Sequence, residues 1–156
     1  MAYLNLNTLL LLALAVLLPT ASLAQSVGVG VDDVDDAVEL QVEGDVICSA
    51  TGNPVEGGPN AGSADAGVSL ICGKMGAAVA VGVTDEKGHY HLSAQVKAEV
   101  GELVKGNECG VRVKLPVPSC TALNHQGALY APARILHTAA SDKVLCLAVN
   151  LFTLIL

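Results

Sequence analysis

Three sets of side chains in this 156-residue chain are of types that could do chemistry. The first is the five cysteines, Cys48, Cys72, Cys109, Cys120 and Cys146. Cysteine sulfurs pair as disulfides, hold soft metals or act as nucleophiles, and spacing and compartment separate these uses. No C-x-x-C pair is present to begin a zinc site. The second set is His89 and His91, alternate residues on one face of a predicted strand, where two imidazoles can chelate a metal ion if a third ligand approaches. Exposed strand residues beside a turn are the plainer reading of that pair, so no metal and no other cofactor is assigned. His125 and His137 lie in the weakly patterned stretch Asn124 to Thr138.

The third set is Ser119, His125 and Asp142, a nucleophile, a base and an acid by type. No G-x-S-x-G elbow lifts a hydroxyl, however, and Ser119 directly precedes Cys120 at a predicted strand end. Glycoside cleavage needs two carboxylates on rigid elements. The dense acidic group here is Asp32, Asp33, Asp35 and Asp36, in a segment that reads as a flexible leader. That group also lacks the ligand order and central Gly of a calcium loop. A non-enzymatic protein without catalytic residues is therefore predicted.

The elements that must carry these residues read as short strands. Val68, Leu70 and Cys72 alternate against Ser69; Cys109, Val111, Val113 and Leu115 alternate against Gly110, Arg112 and Lys114; Tyr90, Leu92, Ala94 and Val96 alternate against His89, His91, Ser93 and Gln95. A period of two gives each strand one buried face. Thr51 to Asp65 concentrates Gly, Pro, Asn and Ser into a loop, and Asp85-Glu86-Lys87-Gly88 reads as a four-residue hairpin connection. Helical spacing is confined to Gln95 to Lys105, interrupted by Gly101. The predicted fold is all-β, a small antiparallel β-sandwich or barrel following a cleaved N-terminal signal helix.

Leu9 to Leu18 form an apolar run ending at Pro19, and Ser22 and Ala24 place small side chains before a signal-peptidase site, so cleavage between Ala24 and Gln25 is expected. The run is too short to span a bilayer, which takes about 20 apolar residues. The predicted organisation is a signal peptide at 1–24, an acidic flexible leader at 25–43, a disulfide-stapled β domain at 44–138 and an apolar segment at 139–156 that forms the last strand. Val144 to Leu156 is likewise too short for a transmembrane anchor, and the polar spacer of a GPI signal is missing after Ala139, Ala140 and Ser141. Export implies an oxidising compartment in which cysteines pair; four of them allow three connectivities, and spacing does not choose among these. Cys146 has no evident partner and is read as a buried thiol, or as the bridge of a possible disulfide dimer.

Fifteen acidic against eight basic residues give a formal charge of −7, which excludes nucleic acid as a natural partner. Three Tyr, one Phe and no Trp are too few for a platform of several stacked rings. No N-x-[ST] sequon follows residue 24.

Four words in order, GDVICSATGN (44 to 53), A-x-V-x-L-x-C (66 to 72), TDEKGHYHL (84 to 92) and C-x-V-x-V-x-x-P-x-x-S-C (109 to 120), resemble the plant pollen-allergen and extensin family (Ole e I-like), most closely its phylloplanin branch. The likeness covers about residues 44 to 138. It implies a secreted β-barrel or sandwich with Cys48 joined to Cys120 and Cys72 to Cys109. For the phylloplanin branch it implies a plant defence protein, antimicrobial at the leaf surface through inhibition of spore germination. For the wider family it implies a structural or signalling cell-wall protein. The partner implied is a microbial or plant cell-wall component in the extracellular space. Thr51 stands where pollen members carry a further Cys.

Overall fold

The computed structural model describes residues 36–156. Eight strands form the frame: β1 (Ala37–Asp45), β2 (Gly67–Cys72), β3 (Ala77–Val83), β4 (His89–Lys97), β5 (Cys109–Lys114), β6 (Ala128–Ala139), β7 (Val144–Val149) and β8 (Thr153–Ile155), with one helix, α1 (Ala98–Lys105), between β4 and β5. They join in a single sheet ordered β3-β2-β5-β6-β7-β1-β4, with β8 paired to β6. The sheet curls into a nearly closed barrel whose open seam lies between its edge strands β3 and β4. The fold is all-β, as the period-two pattern predicts.

Alternation sets the lining of the barrel. Leu40 and Val42 from β1, Val68 and Leu70 from β2, Val111 and Val113 from β5, Leu129 and Ala131 from β6, and Leu145 and Leu147 from β7 point inward and are buried. An inward Leu in such a core is worth about 2–5 kcal/mol against Ala, through lost transfer energy and the cavity left behind. α1 packs against β1, β2, β4 and β6 and places Val104 in the core. It ends at Asn107, whose left-handed φ of 59° lets the following N–H groups return to the last turn, with Asn107 N–H donating to Val104 and Glu108 N–H to Leu103.

Two covalent braces cross this frame. Cys72 and Cys109 are directly opposite in the antiparallel β2–β5 ladder and are bonded to each other. Cys48, just after β1, is bonded to Cys120, which opens the 3-10 turn Thr121–Leu123. These are the pairs that the family resemblance implies.

Several expectations change. The leader assigned to 25–43 does not extend to 43, because Ala37–Asp45 is β1, in ladder with β4 on one side and β7 on the other. Glu39, Gln41 and Glu43 alternate with the buried Leu40 and Val42, a period-two pattern masked by acid density. The β domain therefore starts before 44. The weakly patterned stretch Asn124 to Thr138 contains most of the twelve-residue β6, interrupted by a register shift between Ile135 and His137. The single last strand expected at 139–156 is two strands, β7 and β8, broken at a corner over Asn150–Phe152, and Ala139 belongs to β6. One ladder, β1–β7, is parallel, so the barrel is not wholly antiparallel. Finally, Asp85 to Gly88 forms a tight turn, with Asp85 N–H donating to His89 and Gly88 N–H to Asp85, yet β3 and β4 form no ladder beyond it. The signal peptide, its cleavage point at Ala24 and Gln25, and the acids Asp32, Asp33 and Asp35 lie outside the described residues.

Candidate functional site

Two hollows on the outer surface of the described residues border the acid-bearing strand β1. An open groove of about 1080 Å³ runs along the outside of β1 and β7 to the β7–β8 corner. Gln41, Cys146 and His137 form part of its floor, His91 lies at one flank, and Asn53 and Phe152 close its end. The floor follows from register: Cys146 pairs with Gln41 across the parallel ladder and with His137 across the antiparallel one. Leu136, pushed outward at the β6 register shift, and Leu151 add exposed apolar lips.

Asn53 gives the groove its end wall. Its amide Nδ2 donates to the Phe152 carbonyl at 2.8 Å and its Oδ1 accepts from the Phe152 N–H at 2.7 Å. One side chain thus supplies both halves of the ladder pairing that the chain lacks where β7 breaks before β8. Only an Asn or Gln side chain carries donor and acceptor in that arrangement. Nothing in the local sequence signals this contact, because the two residues are 99 positions apart.

A second hollow of about 800 Å³ lies over Gly44, Asp45, Asp85, His89 and Tyr90. His89 and His91 point outward from β4 and meet the carboxylates opposite them on β1, His89 against Asp45 and His91 against Glu43. The Asp85 carboxylate accepts the His89 and Lys87 N–H groups and fixes the turn. The two imidazoles are thus engaged in cross-strand pairs rather than converging on one point. Among the described residues no group of three His, Cys, Asp or Glu side chains is arranged to hold a metal ion. Below them the Tyr90 ring lies against Gly44, its cross-strand partner, where a larger residue would collide with the phenol. The Tyr90 hydroxyl is buried without a hydrogen-bond partner in the structure, and burial holds its pKa well above the ordinary tyrosine value.

The residues of catalytic type do not meet. Ser119 donates its hydroxyl to the Ala64 carbonyl at 2.6 Å. His125 lies against the carbonyl of its neighbour Gln126, and Asp142 accepts from Thr138 at 3.0 Å. Cys146 is a free, half-buried thiol on β7. No described helix is long and apolar enough to cross a membrane.

The fold and surface define a doubly braced β-barrel, filled by its own side chains, with a groove and a second hollow on its exterior. No protein-family model and no curated protein matches the chain. Among solved structures, the crystal structure of the major plantain pollen allergen Pla l 1 is similar, with a TM-score of 0.39 and 19% identity over 70% of this chain and 89% of that one.

Proposed function

We propose that this protein is a secreted, non-enzymatic binding module that acts at a plant surface, and that it inhibits microbial spore germination there, as the resemblance of its four ordered sequence words to the phylloplanin branch implies. The observation that carries this reading is the barrel itself. Its interior is filled by its own side chains, two disulfides lock its strands, and Ser119, His125 and Asp142 are each engaged elsewhere, so the surface is what the molecule offers. A rigid exterior suits binding to a wall, cuticle or spore coat, because little conformational entropy is lost on contact.

The test is germination of fungal and oomycete spores on the purified chain beginning at Gln25. Inhibition that is lost after reduction of the disulfides is the expected result, whereas undisturbed germination at high protein concentration removes the proposal. If germination is undisturbed but the protein is retained on isolated wall material, the structural cell-wall role of the wider family takes its place.

A further inference from the structure

Acidic side chains are unevenly shared among the described strands. Among the described strands, every Asp or Glu is on β1, at Glu39, Glu43 and Asp45. Strands β2, β3, β5, β6 and β8 carry none. On the outer face of β3, β2 and β5, whose own residues include no carboxylate, register sets two rows side by side. Val81 on β3 pairs with Ser69 on β2, which pairs with Arg112 on β5; Val83 pairs with Gly67, which lies beside the Lys114 side chain.

The rows make a shallow trough along β2. Its floor is the small residues Gly67 and Ser69. One bank is the exposed pair Val81 and Val83, at 74% and 67% of full exposure, and the other is the exposed cations Arg112 and Lys114. Neighbouring strands are about 4.8 Å apart, so the backbones of the banks stand about 10 Å from each other, and the Arg112 guanidinium reaches over β2 toward Gly76. The cations repeat every second residue, about 6.7 Å along the strand. Beyond Arg112 its cross-strand partner Tyr130 lies with its ring over Gly110, a close approach that only glycine allows. In a chain of net charge −7, Arg112 and Lys114 make no ion pair with an acid among the described residues.

We infer that this trough binds a carboxylate-bearing polysaccharide of the uronate type, with its carboxylates on Arg112 and Lys114 and the apolar faces of its rings on Val81 and Val83. The inference rests on the wall-surface setting proposed above and names the partner class. Charge complementarity selects the occupant: neutral glucan leaves both cations unused, and anionic protein surfaces offer no repeat of carboxylates with apolar ring faces between them. A second copy of this chain carries exposed carboxylates on β1, on α1 and in loops, two of the β1 group already facing His89 and His91, and none alternates with an apolar ring face.

The experiment is affinity electrophoresis and calorimetry of the whole secreted chain with de-esterified polygalacturonate, its methyl-esterified form and neutral galactan. Expected is retardation by the de-esterified polymer alone, weakened by raising salt. The double variant Arg112→Glu, Lys114→Glu should bind about tenfold or more weakly, since charge-assisted hydrogen bonds are lost. The control Lys87→Glu, Lys97→Glu makes the same change in net charge away from the trough and should bind as the parent does. Circular dichroism of both variants should match the parent, as all four side chains are exposed.

Absence of binding by the parent overturns the inference, and so does equal retention by neutral galactan or equal weakening in both double variants. Self-association that is abolished by R112E/K114E without any polymer would assign the trough to a second copy instead. Uronate binding that persists in a protein without effect on germination would sink the proposed defence role and leave this inference standing. Germination inhibition with no uronate binding would do the reverse.

Discussion

At the scale of single residues, two side chains have opposite hydrogen-bonding fates. The Asn53 amide makes two bonds to the Phe152 peptide in a partly buried site, and Asn53→Ala leaves a peptide N–H and C=O without partners. A loss of about 1–3 kcal/mol is expected from orphaned groups of this kind, read by urea denaturation, with faster hydrogen exchange at Phe152 as the local sign. Tyr90 is the converse, a buried hydroxyl with no partner. Tyr90→Phe removes an unsatisfied group and should leave the protein at neutral pH as stable or more so. The pH sign follows from the raised pKa. The folded state holds the phenol proton more tightly than the unfolded chain, so this contribution is intact below the unfolded tyrosine pKa of about 10 and is lost as pH climbs above it. The parent should therefore lose stability on going from pH 8 to pH 11 more steeply than Tyr90→Phe does; equal slopes in denaturation series would show that Tyr90 is not responsible.

Among elements, the turn between β3 and β4 depends on glycine at a point of backbone contact. Gly88 has a φ of +80°, and a Cβ there would meet the Val46 carbonyl and the Cα of Gly62, which presses on the turn from the long loop after β1. Gly88→Ala is expected to cost more than the 1 kcal/mol or so of an ordinary left-handed penalty, because both the dihedral and the contact are lost. Thermal unfolding compared with Gly57→Ala, at a positive φ in open space, separates the two causes.

The same elements show what sequence alone reveals. β2, β4 and β5 are legible because their inward residues are Val, Leu, Tyr and Cys against polar neighbours, and α1 is legible from the helical spacing of Val100 and Leu103. β1 is masked because its outward residues are acids clustered beside an acidic stretch, which mimics a leader. β6 is masked because its inward positions include Ala131 and Ala133, too small to stand out against Pro132 and Arg134. The groove was invisible for a different reason: Gln41, Asn53, His137 and Cys146 come together only through a parallel ladder and a loop contact between distant segments. The chemistry of His89 and His91 is legible in their spacing, but their engagement with Asp45 and Glu43 is not, since β1 is masked in the sequence.

On the scale of the whole molecule, the braces Cys48–Cys120 and Cys72–Cys109 close chain segments with sequence separations of 72 and 37. In the chain-entropy account each is worth about 4 kcal/mol, a large part of the stability of a domain of this size. Replacing either pair by Ser should lower the urea midpoint strongly, and replacing both should prevent folding. A double replacement that unfolds at the parent midpoint would show that the barrel stands on its packing alone. Cys146→Ser should leave the midpoint within experimental error and abolish any covalent dimer seen on non-reducing gels.

The parallel pairing of β1 with β7 has a consequence for the order of assembly. A chain emerging amino end first can zip β1 onto β4 early, but the opposite margin of β1 must wait for Val144–Val149, some hundred residues later. Throughout that interval a row of bare peptide groups faces solvent, an invitation to stick to other nascent chains. Glu39, Glu43 and Asp45 sit on that waiting strand, and their mutual repulsion with identical neighbours keeps it solitary until its proper mate arrives.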